Sequence, residues 1–305
     1  MKIEFVSRSS KQAVDLNGFC FFEGDQTGDG KILSDAELSR QIKQAAADKL
    51  FAGKDQEGLL LTNRAGKHAC PVLLLGLGKK DDFTLEKLRI AGARLLSQAK
   101  SLGGKRVLLE IDGAYLRFSV QQLAQAAAEG ALLSDYSFSK YKSKAKPKRT
   151  IEWLGLIVGG GASQAGAIKK ALDETCWVAR AVTAARDLAN EPGNIMTPVE
   201  LSRRTKALAA ANGLRCTVLG KDKIRQLKMG GILAVSQGSS FPPQLIILEN
   251  RVRTKSAPVV LVGKGITFDT GGISIKPSNE MDKMKFDMCG AAAVIGTMVA
   301  VARLR

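Results

Sequence analysis

Short apolar runs alternate with stretches of helical periodicity along this chain, and that alternation restricts the fold more than any other feature. Residues 1–5 alternate as a strand does, and residues 72–75, 106–111 and 152–158 read as short strands bounded by Gly, Pro or charge. Between them, residues 85–99 space Leu85, Leu88, Leu95 and Leu96 as an amphipathic helix would, and residues 120–133 predict a second helix. A long helix is expected from Ala167 to about Ala189, with Ile168, Leu172, Cys176, Ala179, Val182 and Leu188 along one stripe. It stops at Asn190-Glu191-Pro192-Gly193, because a proline disfavours helix in the residue before it. Thr197 as N-cap and Pro198 at the first helical position then open another helix. Strands are predicted at residues 216–219, 245–249 and 259–262, and an Ala-rich buried helix at residues 291–304. Strands interleaved with helices predict an α/β layered structure, and 305 residues predict two domains.

Several chemistries are removed by composition. His68 is the single histidine and has no HExxH context, which excludes zinc sites built on paired histidines. No GxSxG elbow accompanies it, which argues against a Ser-His-Asp triad. Five cysteines (Cys20, Cys70, Cys176, Cys216 and Cys289) are scattered without CxxC spacing, so a reducing cytoplasm is the expected compartment. No apolar h-region follows the first residues, and the apolar stretch 291–302 is too short and too rich in Ala for a membrane span; no membrane association is expected. The turn at residues 25–30 begins like a calcium loop, but Ala36 stands where the bidentate ligand belongs. A polar turn with Ser34 as N-cap and Glu37 at N3 explains it better. Gly159-Gly160-Gly161 lacks the dinucleotide-binding spacing, because Gln164 occupies the third glycine position. The net charge of +17 is read mainly as a solvated face, part of it in the connector at residues 140–149. The alternative is a non-catalytic module that binds nucleic acid or protein through a basic N-terminal domain.

The informative segment runs from Val259 to Lys276, VVLVGKGITFDTGGISIK. An apolar strand would deliver Lys264 and Asp269 beyond its carboxyl end, where open α/β sheets place ligands. Gly271-Gly272 lets the backbone turn closely, so that Lys276 can return to the same crevice, and Asp287 follows in MDKMKFD. Two carboxylates and two lysines near a strand end suit an anion site or a divalent metal site; a surface loop of paired charges is the third possibility.

GKGITFDTGGISIKPS followed by MDKMKFDMCGAAAV resembles the leucine (cytosol) aminopeptidase family almost residue for residue. EGALL from Glu129, YSFSKYK from Tyr136, NEPGN from Asn190 and MGGILAVSQGS from Met229 support the resemblance in order. The resemblance implies a macro-like α/β domain over residues 1–164, a connecting helix at 165–189, and an incomplete phosphorylase/hydrolase-like α/β catalytic domain over 190–305. It implies that Lys264 and Asp287 bind one divalent metal, zinc or manganese, and that Asp269 bridges two. It further implies that Lys276 acts catalytically beside the substrate carbonyl and that Met284 lines the pocket for the N-terminal side chain. Peptides with a free N-terminus would be the substrates, trimmed of residues such as leucine, and the family's assembly is a homohexamer. The family's remaining metal ligands and the Arg of its bicarbonate site lie in an Asn-Thr-Asp-Ala-Glu-Gly-Arg segment that these 305 residues do not contain. The expectation is therefore a truncated family member, without the bicarbonate site and with little or no peptidase activity by itself.

Overall fold

The computed structural model describes residues 1–7, 12–25, 36–62, 70–111, 117–143, 149–159, 164–250 and 257–304. His68, residues 26–30 of the calcium-like turn with its Ser34 cap, Gly160, Gly161 and connector residues 144–148 lie outside the described residues. The chain divides into two compact units, Met1–Cys176 and Trp177–Arg305.

Unit 1 is built on a mixed six-stranded sheet in the order β1-β6-β5-β2-β4-β3. Its strands are β1 (Lys2–Phe5), β2 (Leu16–Phe21), β3 (Gly58–Leu61), β4 (Val72–Gly76), β5 (Arg106–Ile111) and β6 (Trp153–Val158). Four pairings are parallel, and the edge strand β3 alone runs antiparallel, to β4. β4 and β6 are buried at every residue, as expected of strands covered on both faces. β2 and β3 are not evident from the sequence. Asn17 and Gly18 interrupt the apolar run of β2, and β3 is a four-residue edge.

Side chains alternate between the two faces. Leu16 and Cys20 of β2 join one core with α2 (Leu85–Leu102), α3 (Val120–Ser134) and Ile168 and Leu172 of α4 (Ala165–Asn190). Phe19 and Phe21 point the other way, into a core with Leu38 and Ile42 of α1 (Ala36–Ala47) and Phe51. Local signals close the helices. Ser119 and Gln122 form a reciprocal capping box on α3, and Gly103 ends α2 in the left-handed conformation.

α2 and α3 approach so closely that each sets a glycine against the other's backbone. A Cβ on Gly92 would lie 2.2 Å from the Ala127 carbonyl oxygen, and one on Gly130 would lie 1.9 Å from that of Arg89. Gly130→Val must therefore force the helices apart, and unit 1 is expected to lose about 3 kcal/mol, the upper range for overpacking. Denaturant unfolding followed by the fluorescence of Trp153 in β6 measures this. A loss below about 1 kcal/mol would show that the helix pair yields easily.

Unit 2 contains the second half of α4, α5 (Pro198–Ala211), β7 (Arg215–Leu219), α6 (Lys221–Gln226), α7 (Gly230–Val235), β8 (Leu245–Glu249), a 3-10 segment (Met281–Met288) and α8 (Cys289–Arg303). β7 and β8 form a two-stranded antiparallel ladder. The core gathers Leu188 of α4, Met196, Leu201 of α5, Met288, and Ala292 and Ile295 of α8. The span Met281–Arg303 is long and apolar enough to cross a membrane by length and composition, but these three contacts from its own residues belong to that core. α5 starts as its sequence predicts, with the Glu200 N–H donating to Thr197 Oγ1 and Pro198 in the first turn.

One expectation is overturned. Residues 259–262 are not a buried strand. They are extended, have no ladder partner among the described residues, and are exposed at all four positions. The apolar run is what an interior strand needs, but a strand exists only through its neighbours, and among the described residues β7 and β8 pair with each other and neither pairs with this segment.

Glu200 heads α5 between Arg203 and Arg204, and hydrogen bonds from these two guanidiniums lower its carboxyl from the ordinary 4.5 to about 2. A depressed carboxyl stabilises the folded state fully above the unfolded value and loses that contribution as pH falls through the folded one. The denaturation midpoint of unit 2 is therefore expected to fall between pH 4.5 and pH 2. Glu200→Gln should flatten that part of the profile; identical slopes in both proteins would remove Glu200 from the account.

Candidate active site

Lys264, Asp269, Lys276, Met284 and Asp287 all lie in unit 2, and two ion pairs organise them. The extended segment 263–265 lies against the start of α8. A Cβ on Gly263 would meet the Gly290 carbonyl oxygen at 2.4 Å, and the Ala291 N–H donates to the Lys264 carbonyl at 2.8 Å. This contact sets Lys264 beside the end of the 3-10 segment, where its Nζ donates to both Asp287 carboxylate oxygens at 2.5 Å. Asp287 is fixed in turn by the next residue, Met288, which is wholly buried in the unit 2 core.

The second pair is made by a tight return of the chain. The Gly271 N–H donates to Asp269 Oδ1 at 2.9 Å, Gly271 holds φ +87°, and the Lys276 N–H donates to the Thr270 carbonyl at 2.9 Å. Lys276 Nζ then reaches Asp269 Oδ2 at 2.9 Å and Met284 Sδ at 3.1 Å. Gly193 of the NEPGN segment touches the Phe268 ring, next to Asp269, so closely that a Cβ would stand 2.7 Å from it.

The hydrogen bond from Lys276 holds the Asp269 carboxyl below its ordinary range, helped by the Gly271 N–H and by the charges of Lys276 and Lys264. Lys264 thus pairs with Asp287 and also acts electrostatically on Asp269, so one ammonium faces both carboxylates. These pairs are partly exposed, and such pairs contribute about 0–1 kcal/mol to stability. Their arrangement is not needed to hold the fold. What it provides is two carboxyl groups and two lysine nitrogens at the surface of unit 2.

Carboxylate oxygens suit hard divalent cations and zinc, and an amine nitrogen suits zinc. In kind, Lys264, Asp269 and Asp287 fit such an ion. In number they fall short of a four- to six-ligand shell, and no group of three or more His, Cys, Asp or Glu residues converges among the described residues. They fit one part of a coordination shell.

Two structural supports were not evident from the motif. Lys285 Nζ donates to the Asn190 carbonyl at the end of α4, which tethers the 3-10 segment. Arg204 Nη1 donates to Glu191 at 2.7 Å while its Nε reaches Glu200 at 2.7 Å. The i,i+4 spacing shows the second contact; the first joins residues 13 apart and needs the folded turn.

Two family descriptions match the chain: the cytosol aminopeptidase family, N-terminal domain, over residues 19–145, and the same family's catalytic domain over residues 183–305. A probable cytosol aminopeptidase of Desulfotalea psychrophila is 44% identical over 280 residues, which are 87% of this chain and 54% of that protein. A probable cytosol aminopeptidase of Syntrophotalea carbinolica is 39% identical over 277 residues, 89% of this chain and 55% of that protein. Among solved structures, a tomato leucine aminopeptidase mutant superposes with a TM-score of 0.80 at 25% identity, over 100% of this chain and 60% of that one. A bottromycin maturation enzyme in complex with Mn gives a TM-score of 0.73 at 29% identity, over 95% of this chain and 56% of that one. The chain spans about half the length of the curated relatives it matches.

Proposed function

Because the chain belongs to the cytosol aminopeptidase family, we propose that it carries one half of a metal-dependent aminopeptidase site that removes N-terminal residues such as leucine from peptides. The observation that carries this reading is the pair of adjoining ion pairs, Lys264 with Asp287 and Lys276 with Asp269, set beside Met284. Lys264, as the neutral amine, would hold divalent metal together with the Asp269 and Asp287 carboxylates. When bound, zinc or manganese would supply Lewis acidity and a docking point for the substrate's free α-amine. Lys276 donates to the carbonyl oxygen as negative charge develops on it, and Asp269 orients that ammonium. Met284, an unbranched and adaptable side chain, faces the substrate's N-terminal side chain. The complete enzyme works in the cytoplasm as a homohexamer.

The 305 residues lack the Asn-Thr-Asp-Ala-Glu-Gly-Arg segment, so the site holds too few donors for two ions and the chain alone has little or no peptidase activity. Two measurements test this reading. Titration calorimetry with Mn²⁺ is expected to detect weak binding that Asp269→Asn lowers at least about tenfold. Equal binding by both proteins would end the metal role of Asp269. Leucyl-p-nitroanilide with added Mn²⁺ or Zn²⁺ should release no product above buffer with the chain alone; turnover at a rate typical of enzymes, about 1–1,000 per second, would overturn the half-site.

A further inference from the structure

We propose that the turn at residues 190–193 is a brace that sets the spacing between the two carboxylates of the candidate site, with Lys285 as its positioning residue. The metal role of that spacing rests on the aminopeptidase reading; the brace itself does not. The turn is held on both sides. Glu191, 2% exposed, is paired with Arg204, and the Ile195 and Met196 N–H groups both donate to the Pro192 carbonyl at 2.9 Å. Met196 is buried in the same core as Met288, the residue after Asp287. From this turn two contacts reach out, one to each carboxylate-bearing segment. Gly193 receives the ring of Phe268, which precedes Asp269; a Cβ on the glycine would stand 2.7 Å from Phe268 Cδ2 and 3.4 Å from its Cβ. The Asn190 carbonyl accepts from Lys285 Nζ at 3.4 Å, and Lys285 lies between Met284 and Asp287.

The two ion pairs depend on such a brace to different degrees. Asp269 and Lys276 close on each other through a local return, with the Gly271 N–H on Asp269 Oδ1 and the Lys276 N–H on the Thr270 carbonyl. That pair carries its own geometry. Lys264 and Asp287 are 23 residues apart, and no strand ladder among the described residues joins their segments. Ala291 ties the Lys264 backbone to the start of α8, and Met288 anchors the end of the 3-10 segment. Ahead of Met288, Lys285 links that segment to α4. The last carbonyls of a helix lack intrahelical donors and carry partial negative charge, so an ammonium suits them. The Phe286 ring, its centroid 4.9 Å from Nζ, attracts the same ammonium from a second side. A contact of 3.4 Å is held by charge more than by bond direction, so a guanidinium can replace the ammonium and a thioether cannot. An ion shared by Asp269 and Asp287 tolerates little error in their spacing, since ligand distances vary by only about 0.2 Å.

A carbodiimide joins a lysine to a carboxylate only where the two touch, so it reads both pairs in the 305-residue chain. Mass spectrometry is expected to find isopeptides between Lys264 and Asp287 and between Lys276 and Asp269. Lys285→Met should lower the first yield about tenfold, because the reaction depends on held proximity, and leave the second unchanged. Lys285→Arg should restore the first. Circular dichroism checks that each variant folds; if Lys285→Met does not, Lys285→Gln, uncharged and one bond shorter, carries the same expectation. Unfolding of both would make Lys285 a residue of the fold and overturn its positioning role. An unchanged first yield, equal losses at both pairs in a folded variant, no rescue by arginine, or no Lys264–Asp287 isopeptide in the unsubstituted chain would each overturn the brace. Titration calorimetry with Mn²⁺ separates the two readings: binding that Lys285→Met weakens about tenfold supports both. Mn²⁺ binding equal in both proteins would overturn the brace, because the spacing would then not matter to an ion. The expected cross-link pattern without any Mn²⁺ binding would uphold the brace and count against the metal site instead.

Discussion

Arg204→Met is expected to destabilise unit 2 by about 3 kcal/mol, the lower end of what is lost when one partner of a buried ion pair is removed. Glu191 is only 2% exposed, and Arg204 Nη1 donates to it at 2.7 Å. Methionine keeps most of the aliphatic volume of arginine but removes the positive charge and the hydrogen bond that Arg204 gives to a buried carboxylate. Arg204 itself is about one-fifth exposed, and water screening argues for the lower end of the range. The pair sits where α4 ends and α5 begins, so its loss loosens the NEPGN turn that places Gly193 against Phe268. The chain has two tryptophans, Trp153 in unit 1 and Trp177 in unit 2. In a Trp153→Phe background, the fluorescence of Trp177 reports unit 2 alone. Glu191→Met combined with Arg204→Met should recover most of the loss, because replacing both partners removes the buried carboxylate together with the guanidinium that served it. If Arg204→Met shifts stability by less than about 1 kcal/mol, or if the double variant is worse than the single one, the pair is not the clamp of this turn.

The second large effect is catalytic. On the proposed aminopeptidase reading, in a chimera that joins this chain to the unmatched remainder of the Desulfotalea psychrophila relative, Lys276→Met is expected to lower kcat on leucyl-p-nitroanilide by about 10²–10³-fold, the usual cost of one donor aimed at a developing oxyanion. KM should change far less, since the interaction matters mainly in the transition state. The geometry supports a donor whose direction is set in advance: Asp269 Oδ2 and Met284 Sδ hold Nζ from two sides, and the 269–276 return holds the backbone. Stability should barely move, because the Lys276–Asp269 pair is partly exposed. A kcat within tenfold of the unsubstituted enzyme, or a loss confined to KM, would remove Lys276 from the chemistry and leave it a positioning residue for Asp269.

The candidate site was legible in outline because its contacts are largely local. Asp269 and Lys276 are seven residues apart, and Gly271 takes the positive φ that folds one back on the other. Lys264 and Asp287 are 23 apart, and the two glycines that bring them together, Gly263 and Gly290, carry no signal of their mutual contact until the chain is folded. The same division runs through the rest of the chain. β4, β5, β6, α2, α3 and the Thr197 cap follow from short-range periodicity and turn chemistry. β2 was hidden by Asn17 and Gly18, although Gly18 is the position where Leu95 packs onto the sheet.

The amino-acid sequence by itself determined the family, the layered α/β class, the helix starts and which charged residues crowd the motif from Lys264 to Asp287. These depend on residue types within a few positions of one another. The tertiary structure alone decided which ammonium pairs with which carboxylate, that Arg204 reaches back to Glu191, and that residues 259–262 stand uncovered. An ion pair or a β-ladder is a property of two segments at once, and an apolar run carries half of the instruction. The other half lies in whatever is folded beside it, and for residues 259–262 no described residue supplies a ladder partner.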